Sequence, residues 1–586
     1  MKIKHLFGLA VIAAMTASCS SNEDLGTAGP GTGTNEAGVG YATFTINLPT
    51  TNGTRAGNPT YEQGTAKEYD VNDVTLLIFK KAGTSEDEYT FVEKADLGNM
   101  APWKAEGSNG ITASATITAK LSNVALTNEG STSDYYALAI LNNKNAADEN
   151  KITLPTTSST TSPVTYGSWN AASNADETKF KDNTKGFYMA NAPVFVAGGE
   201  PTTLVNINRV YATKQKAETN AATTIHVERG LAKVSIHSNT FPSTITPSGT
   251  KYTGDKVDIT AWKLDVTNKS TFPIHKTAGL TTNFSTIWSN TTTTTGASVT
   301  RFVDGSNPSF KRVHWGIDPN YSTALDDLSD CQGAFTVLPA DATIDGAANE
   351  PQYCLENTFD IEHMKQGQTT RVVFKATYTP DGLTKGDTFY KIGNSTDLWS
   401  EANLIKQIKA KAVEVLGVAE TKITVDLEAT ANDIKNNAGT KLLVEDNVKN
   451  DGTAVSPTDI AKINEKLGLK AAGTDPIVDP IVGIATYKSG ESYYIARIKH
   501  FGDLTPWAEG QETYGTNNDA NNTKYLGRYG VLRNNWYELT IGSVSGPGTP
   551  DVPTIKPKEP DDESYKYISV SVKILSWAKR SSTVDL

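Results

Sequence analysis

The sequence predicts an all-β protein of two tandem β-sandwich domains with a small helical insertion in the second, and three observations lead there. Short runs rich in Val, Ile and Tyr alternate apolar with polar residues, which is the period of a strand with one buried face. Gly, Pro, Asn, Ser and Thr crowd the intervals between those runs, as turns and loops require. Through most of the chain, strand follows strand without the helices that parallel βαβ units need, which favours sandwiches.

Length and charge bound the rest. The chain has 586 residues, enough for about two to four domains with a core in each. Its 54 Lys and Arg are outnumbered by 65 Asp and Glu, giving a formal net charge of -11. That balance argues against nucleic acid or an anionic membrane surface as an electrostatic partner.

"MKIKH" places positive charge at the start, and "LFGLAVIAAM" follows as an apolar run too short to cross a bilayer as a helix. Residues 1–18 therefore read as a signal peptide for export. Ala17 and Ser18 put small residues directly before Cys19, as in a bacterial lipobox, although Thr16 stands where Leu is usual. Cys19 is the predicted site of lipid modification, palmitate included; an ordinary secretory peptide with an incidental cysteine is the alternative. Several acyl chains on one residue would hold the N-terminus at a membrane where a single chain would not. Cys331 and Cys354 are the other cysteines. They either form one disulfide or stay free, and two cysteines do not make a disulfide scaffold.

Past a Gly-rich tether at 25–38, "YATFTINL" (41–48) alternates Ala42, Phe44, Ile46 and Leu48 with Tyr41, Thr43, Thr45 and Asn47. It reads as a one-faced strand. The loop "PTTNGTRAGNPT" follows, broken by Pro49, Gly53, Gly57 and Pro59, with Arg55 at its middle. Further strands are predicted at "DVTLLIF" (73–79), "SATITAKL" (114–121), "YYALAILN" (135–142), "TLVNINRVYAT" (203–213) and "TTIHVERGLAKVSIHS" (223–238). "YYALAILN" is apolar enough to be covered on both faces. A domain boundary is placed near Thr223. The second half repeats the style at "DITAWKLDVTN", "AFTVLPA", "TTRVVFKATYTP", "SYYIARIKHF" and "NNWYELTIGSV". Between 398 and 469 the period changes to that of helices, with Ser456 as an N-cap and Pro457 at the first helical position.

Chemistry-bearing motifs are not found. The seven histidines show no zinc-ligand spacing, and no phosphate loop or nucleophile elbow occurs. "EDNVKNDG" (445–452) resembles a calcium loop but carries Lys449 where an oxygen ligand belongs, and reads as an acidic turn. Adjacent acids such as Asp326 and Asp327, or Asp561 and Asp562, do not make a glycosidase pair, which needs two carboxyl groups placed across a sugar. No enzyme activity and no cofactor are predicted.

The end of the chain is unusual. Ile568, Val570, Val572 and Ile574 alternate with Ser569, Ser571 and Lys573, and Leu575 and Trp577 follow. This is a strand built to be covered, with its alternation shifting by one at Ile574 and Leu575, as at a bulge or a step between sheets. Ahead of it, "SVSGPGTPDVPTIKPKEPDDES" (543–564) reads as an extended, solvated tether.

"VERGLAKV" (227–234), "RNNWYELTI" (533–541), the terminal "VSVKILSWAKRSSTVDL" (570–586) and "YCLENT" (353–358) together resemble segments of the Bacteroidales major fimbrillins, shaft subunits of type V pili, the short-fimbria type especially. The resemblance implies transthyretin-like sandwich domains, export as an outer-membrane lipoprotein to the cell surface, and cleavage by an arginine-specific surface protease. Arg55 matches the cleaved position, so mature polymer would begin at Ala56. It further implies that the C-terminal strand of another subunit fills the groove left by the first strand, making Ile568, Val570, Val572, Ile574, Leu575 and Trp577 a donor strand. The implied partners are identical subunits in a fimbrium, accessory anchor and tip fimbrillins, and host or bacterial surface ligands. The organisation is then signal peptide 1–18, lipidated propeptide 19–55, N-terminal sandwich 56–222, C-terminal sandwich 223–546 with its insertion at about 398–469, and linker with donor strand 547–586. Glu228 and Arg229 are assigned a structural role at the domain junction. Two alternatives remain at this stage: a tip or accessory adhesin, and a surface glycan-binding lipoprotein using Trp507, Tyr514 and Tyr525.

Overall fold

A computed structural model describes residues 39–48, 66–100, 104–106, 112–157, 163–182, 185–195, 200–280, 312–477, 479–500, 526–527, 529–561 and 568–576. Strands dominate, in sheets stacked as two sandwiches. The main strands of the first half are β1 (Gly40–Asn47), β2 (Val74–Lys80), β3 (Thr90–Asp96), β4 (Lys104–Glu106), β5 (Thr112–Leu121), β6 (Tyr135–Leu141), β7 (Met189–Asn191) and β8 (Thr223–Arg229). They form one long sheet in the order β3-β2-β6-β7-β8-β1-β5-β4. Its two wings face each other. Ala42, Phe44 and Ile46 of β1 and Ala115 and Ala119 of β5 pack with Leu76, Ile78, Ala137 and Ala139 of the opposite wing.

The remaining face of β2 and β6 is also covered. Leu77, Phe79, Leu138 and Ile140 pack on Tyr166 and Trp169 of a short helix (Tyr166–Ala172) and on Leu231, Ile274 and Leu355 of the second half. Strands buried on both faces cannot alternate, which accounts for the near-continuous apolar runs "VTLLIF" and "YYALAIL".

The second half contributes β9 (Leu231–Ile236), β10 (Lys256–Asp265), β11 (Gln352–Leu355), β12 (Arg371–Thr379), β13 (Glu491–Arg497), β14 (Asn535–Val544) and β15 (Ile568–Ser576). These give a four-stranded sheet, β11-β9-β14-β15, and a three-stranded sheet, β10-β12-β13. Val234, Tyr537 and Leu539 of one pack with Trp262, Phe374 and Tyr494 of the other.

The run from Thr223 does not open the second domain as a unit. β8 pairs in parallel with β1 and completes the first sheet, β9 starts the second, and Gly230 lies between them. A Cβ at Gly230 would stand 2.3 Å from Phe180 Cδ1, so the crossing needs glycine. The apolar period runs through this point because both pieces are strands; the change of sheet leaves no trace in it. Two other predicted strands shrink, to Val205–Asn206 and Phe335–Thr336.

The insertion lies between the paired strands β12 and β13. Its helices are Glu401–Leu416 and Pro457–Lys466, capped by Ser400 and Ser456, which accept from Asn403 N–H and Asp459 N–H; the second begins as the sequence indicates. It is wider and more mixed than 398–469, however. Strands of two to four residues, from Phe389–Ile392 to Ile484–Tyr487, share a core of their own with the helices. Strands this short show no readable period.

The tether expectation is overturned. Gly546 to Asp561 form a strap seated on the second sandwich. Tyr494 and Tyr487 hydroxyls donate to Gly546 O and Gly548 O, each at 2.9 Å, and Thr549 exchanges two backbone hydrogen bonds with Tyr493. Val552 and Ile555 are buried, Arg371 donates to Pro553 O, and Asp561 N–H reaches Met364 O. Prolines remove donors that an extended chain would otherwise leave unpaired, and two isolated apolar residues suffice as plugs. Neither device looks like a strand in sequence.

Candidate functional site: a leading strand in mid-sheet and a terminal strand at a sheet edge

β1 is hydrogen-bonded along both sides. Phe44–Asn47 pair in parallel with Thr223–His226, and all of Gly40–Asn47 pairs antiparallel with Ser114–Leu121, without irregularity. Phe44 and Ile46 have no exposure and Ala42 and Leu48 almost none. On its other face, Thr43 Oγ1 meets Thr118 Oγ1 at 2.8 Å, and Thr45 Oγ1 meets Thr116 Oγ1 at 2.9 Å. Taking β1 away would leave a slot between β5 and β8 with two unpaired edges and an open core. Cys19, Arg55 and Ala56 lie outside the described residues.

The described chain resumes at residue 66. A single helical turn, α1 (Ala66–Tyr69), carries Glu68, whose carboxylate is fully buried. Lys233 Nζ of β9 donates to its two oxygens at 2.9 and 3.2 Å, the Tyr353 hydroxyl donates to it, and Arg229 Nε donates to Glu68 O at 2.7 Å. The Lys233 ammonium also sits 3.9 Å from the centre of the Trp536 ring. This buried pair ties α1 to the second domain.

Glu228 and Arg229 do lie at the domain junction. Glu228 pairs with Arg312 and, at 2.8 Å, with His275 Nδ1, while Arg229 N–H donates to Asn534 Oδ1. Arg533 beside them is held by Glu356, Phe272 O and Pro273 O. Burial pushes the Glu228 carboxyl upward, but Arg312 and His275 outweigh it and bring it to about 2. The folded value is depressed, so Glu228 contributes stability above its ordinary value of 4.5 and loses it as pH falls toward 2. Urea midpoints measured from pH 6 down to pH 2.5 should fall more steeply for the native chain than for Glu228→Gln; equal slopes would refute that linkage.

β15 lies in the other domain from β1. It runs antiparallel along β14 as the edge strand of its sheet, and Val570 packs on the second core. The expected irregularity at Ile574 and Leu575 is not there: they pair regularly with Tyr537 and Trp536, and the register breaks on the partner, between Ile541 and Ser543. Gly542, without a side chain, takes the bulge. Trp577 lies outside the described residues, as do Trp507, Tyr514 and Tyr525. Cys331 and Cys354 are buried free thiols. Among the described residues no three His, Cys, Asp or Glu side chains are grouped to hold a metal ion. Sequence reading missed Glu68 and Lys233, since a buried ion pair far apart in sequence leaves no periodic signal.

Residues 485–583, which span β13, β14, the strap and β15, match the family described as the C-terminal region of fimbrillin, the type IV major fimbrial subunit protein. No curated protein matches the chain. Among solved structures, a candidate cell adhesion protein from Parabacteroides distasonis is 12% identical with a TM-score of 0.37, over 92% of this chain and 99% of that one. A fimbrilin from Porphyromonas gingivalis is 10% identical with a TM-score of 0.34, over 91% and 96%. Scores this low carry no argument about the fold, and the sequence match is confined to residues 485–583. That match makes the last two long strands and the strap similar to the C-terminal region of the fimbrillins.

Proposed function

We propose that the chain is a structural subunit of a cell-surface fimbria, built by donor-strand exchange. The precursor is held at the outer membrane through lipid on Cys19. An arginine-specific surface protease cuts after Arg55, β1 leaves, and β15 of a second copy takes its place. One observation supports this above the others: the strand that cleavage would free lies in mid-sheet with its apolar face buried and neighbours paired on both sides, not as a frayed end.

The physics favours a slot over an edge. Burying large apolar side chains of the donor contributes roughly 1.5–3 kcal/mol each, and ordering the strand costs roughly 1–2 kcal/mol per residue, so the two nearly cancel. A second ladder adds about 1 kcal/mol net per hydrogen bond. At its own edge β15 has a ladder on one side; in the slot it has two. Because β15 and the slot are different surfaces, the contact is head-to-tail and repeats as a filament. Seven residue steps separate Asp561 at the end of the strap from Ile568, a span of at most about 25 Å, so a seated strap requires close docking of neighbours.

N-terminal sequencing of purified filaments should find Ala56 as the first residue. Filaments that retain residues 41–48 would refute the exchange.

A further inference from the structure

We propose that the terminal strand enters a neighbouring copy in the direction and register of the strand it replaces, with Ser569 opposite Thr118 and Ser571 opposite Thr116 of the receiving subunit; this rests on the exchange proposed above. The leading "YATFTINL" (41–48) and the terminal "YISVSVKI" (567–574) match in residue class at every position. Tyr stands with Tyr, Thr43 and Thr45 with Ser569 and Ser571, and Asn47 with Lys573. Ala42, Phe44, Ile46 and Leu48 stand with Ile568, Val570, Val572 and Ile574.

That correspondence fits the slot chemically. Thr118 and Thr116 each meet a threonine hydroxyl of β1, at 2.8 and 2.9 Å. In the proposed register each meets a serine hydroxyl instead, so both cross-strand hydroxyl pairs survive. Ile568 is larger than Ala42 and Val570 smaller than Phe44, at neighbouring positions of one face, so the volume entering the core is nearly conserved. β1 runs through the slot without a bulge, and β15 likewise pairs without one of its own.

Reversing the strand can also keep the hydroxyls, with Ser571 opposite Thr118 and Ser569 opposite Thr116. That register puts Ile574 at the place of Gly40, where a Cβ would stand 2.3 Å from Val210 Cγ1. A β-branched side chain does not fit there. The same-direction register brings Lys566 there instead, at the entry of the strand and without a branch at Cβ.

Cysteine pairs on the exposed hydroxyl face distinguish these registers. After cleavage at Arg55 the chain's own cysteines are Cys331 and Cys354, both buried, so new cross-links are attributable. Full chains carrying Thr118→Cys with Ser569→Cys, and others carrying Thr118→Cys with Ser571→Cys, are matured, assembled and oxidised. The expected result is a disulfide-linked ladder, collapsed by added thiol, from the first pair and none from the second. A ladder from the second pair alone would overturn the register while leaving the exchange intact. Filaments with neither ladder would overturn the exchange itself and the register with it. Mixing singly substituted Thr118→Cys and Ser569→Cys chains gives the same reading, as cross-linked dimers, where the double variant assembles poorly.

Discussion

Arg55→Ala should reduce filaments below detection while leaving a folded precursor with unchanged thermal stability. The uncut β1 keeps its place because it is both buried and tethered. Phe44, Ile46 and Leu48 alone account for roughly 5–9 kcal/mol of apolar burial, and the ladders to β5 and β8 add to it. An intramolecular strand also competes at an effective concentration in the millimolar range. A donor from another copy cannot displace it on those terms. Electron microscopy and size-exclusion chromatography of Arg55→Ala check this; filaments of normal length would refute the claim that cleavage at Arg55 gates assembly.

Glu68→Ala should destabilise the folded chain by about 3–5 kcal/mol, the cost of leaving one member of a buried ion pair alone. The Lys233 side chain is only 5% exposed and that of Glu68 not at all. Removing the carboxylate strands the ammonium, with the Trp536 ring as partial compensation, and leaves the Tyr353 hydroxyl without this acceptor. Urea unfolding gives the magnitude. The double change Glu68→Leu with Lys233→Met should recover most of the loss, since replacing a whole buried pair by apolar residues is often neutral. A loss below about 1 kcal/mol for Glu68→Ala would mean that the pair is solvated like a surface one. The same variant weakens the attachment of α1 to the domain junction.

What could be read in advance follows from what periodicity encodes. β1 has its apolar residues on one buried face, and its alternation shows it. β2 and β6 lie between two cores, and their unbroken apolar runs show that. Gly230 separates two sheets within one apolar run, a change of neighbours rather than of period. The strap is held by prolines, two plugs and tyrosine hydroxyls borrowed from β13 and the insertion, none of them close in sequence. Arg55 is a candidate on sequence alone, flanked by glycines behind a one-faced strand, and lies outside the described residues. Glu68 does not stand out in the sequence, because its partners Lys233 and Arg229 are more than 150 residues away.

Deletion of residues 568–586 tests the central claim most directly, because it removes the proposed donor and leaves β1, its neighbours and Arg55 in place. The account predicts secreted, correctly cut, folded subunits that remain monomeric on an SDS gel loaded without boiling. Subunits that still form SDS-resistant ladders without that strand would contradict it.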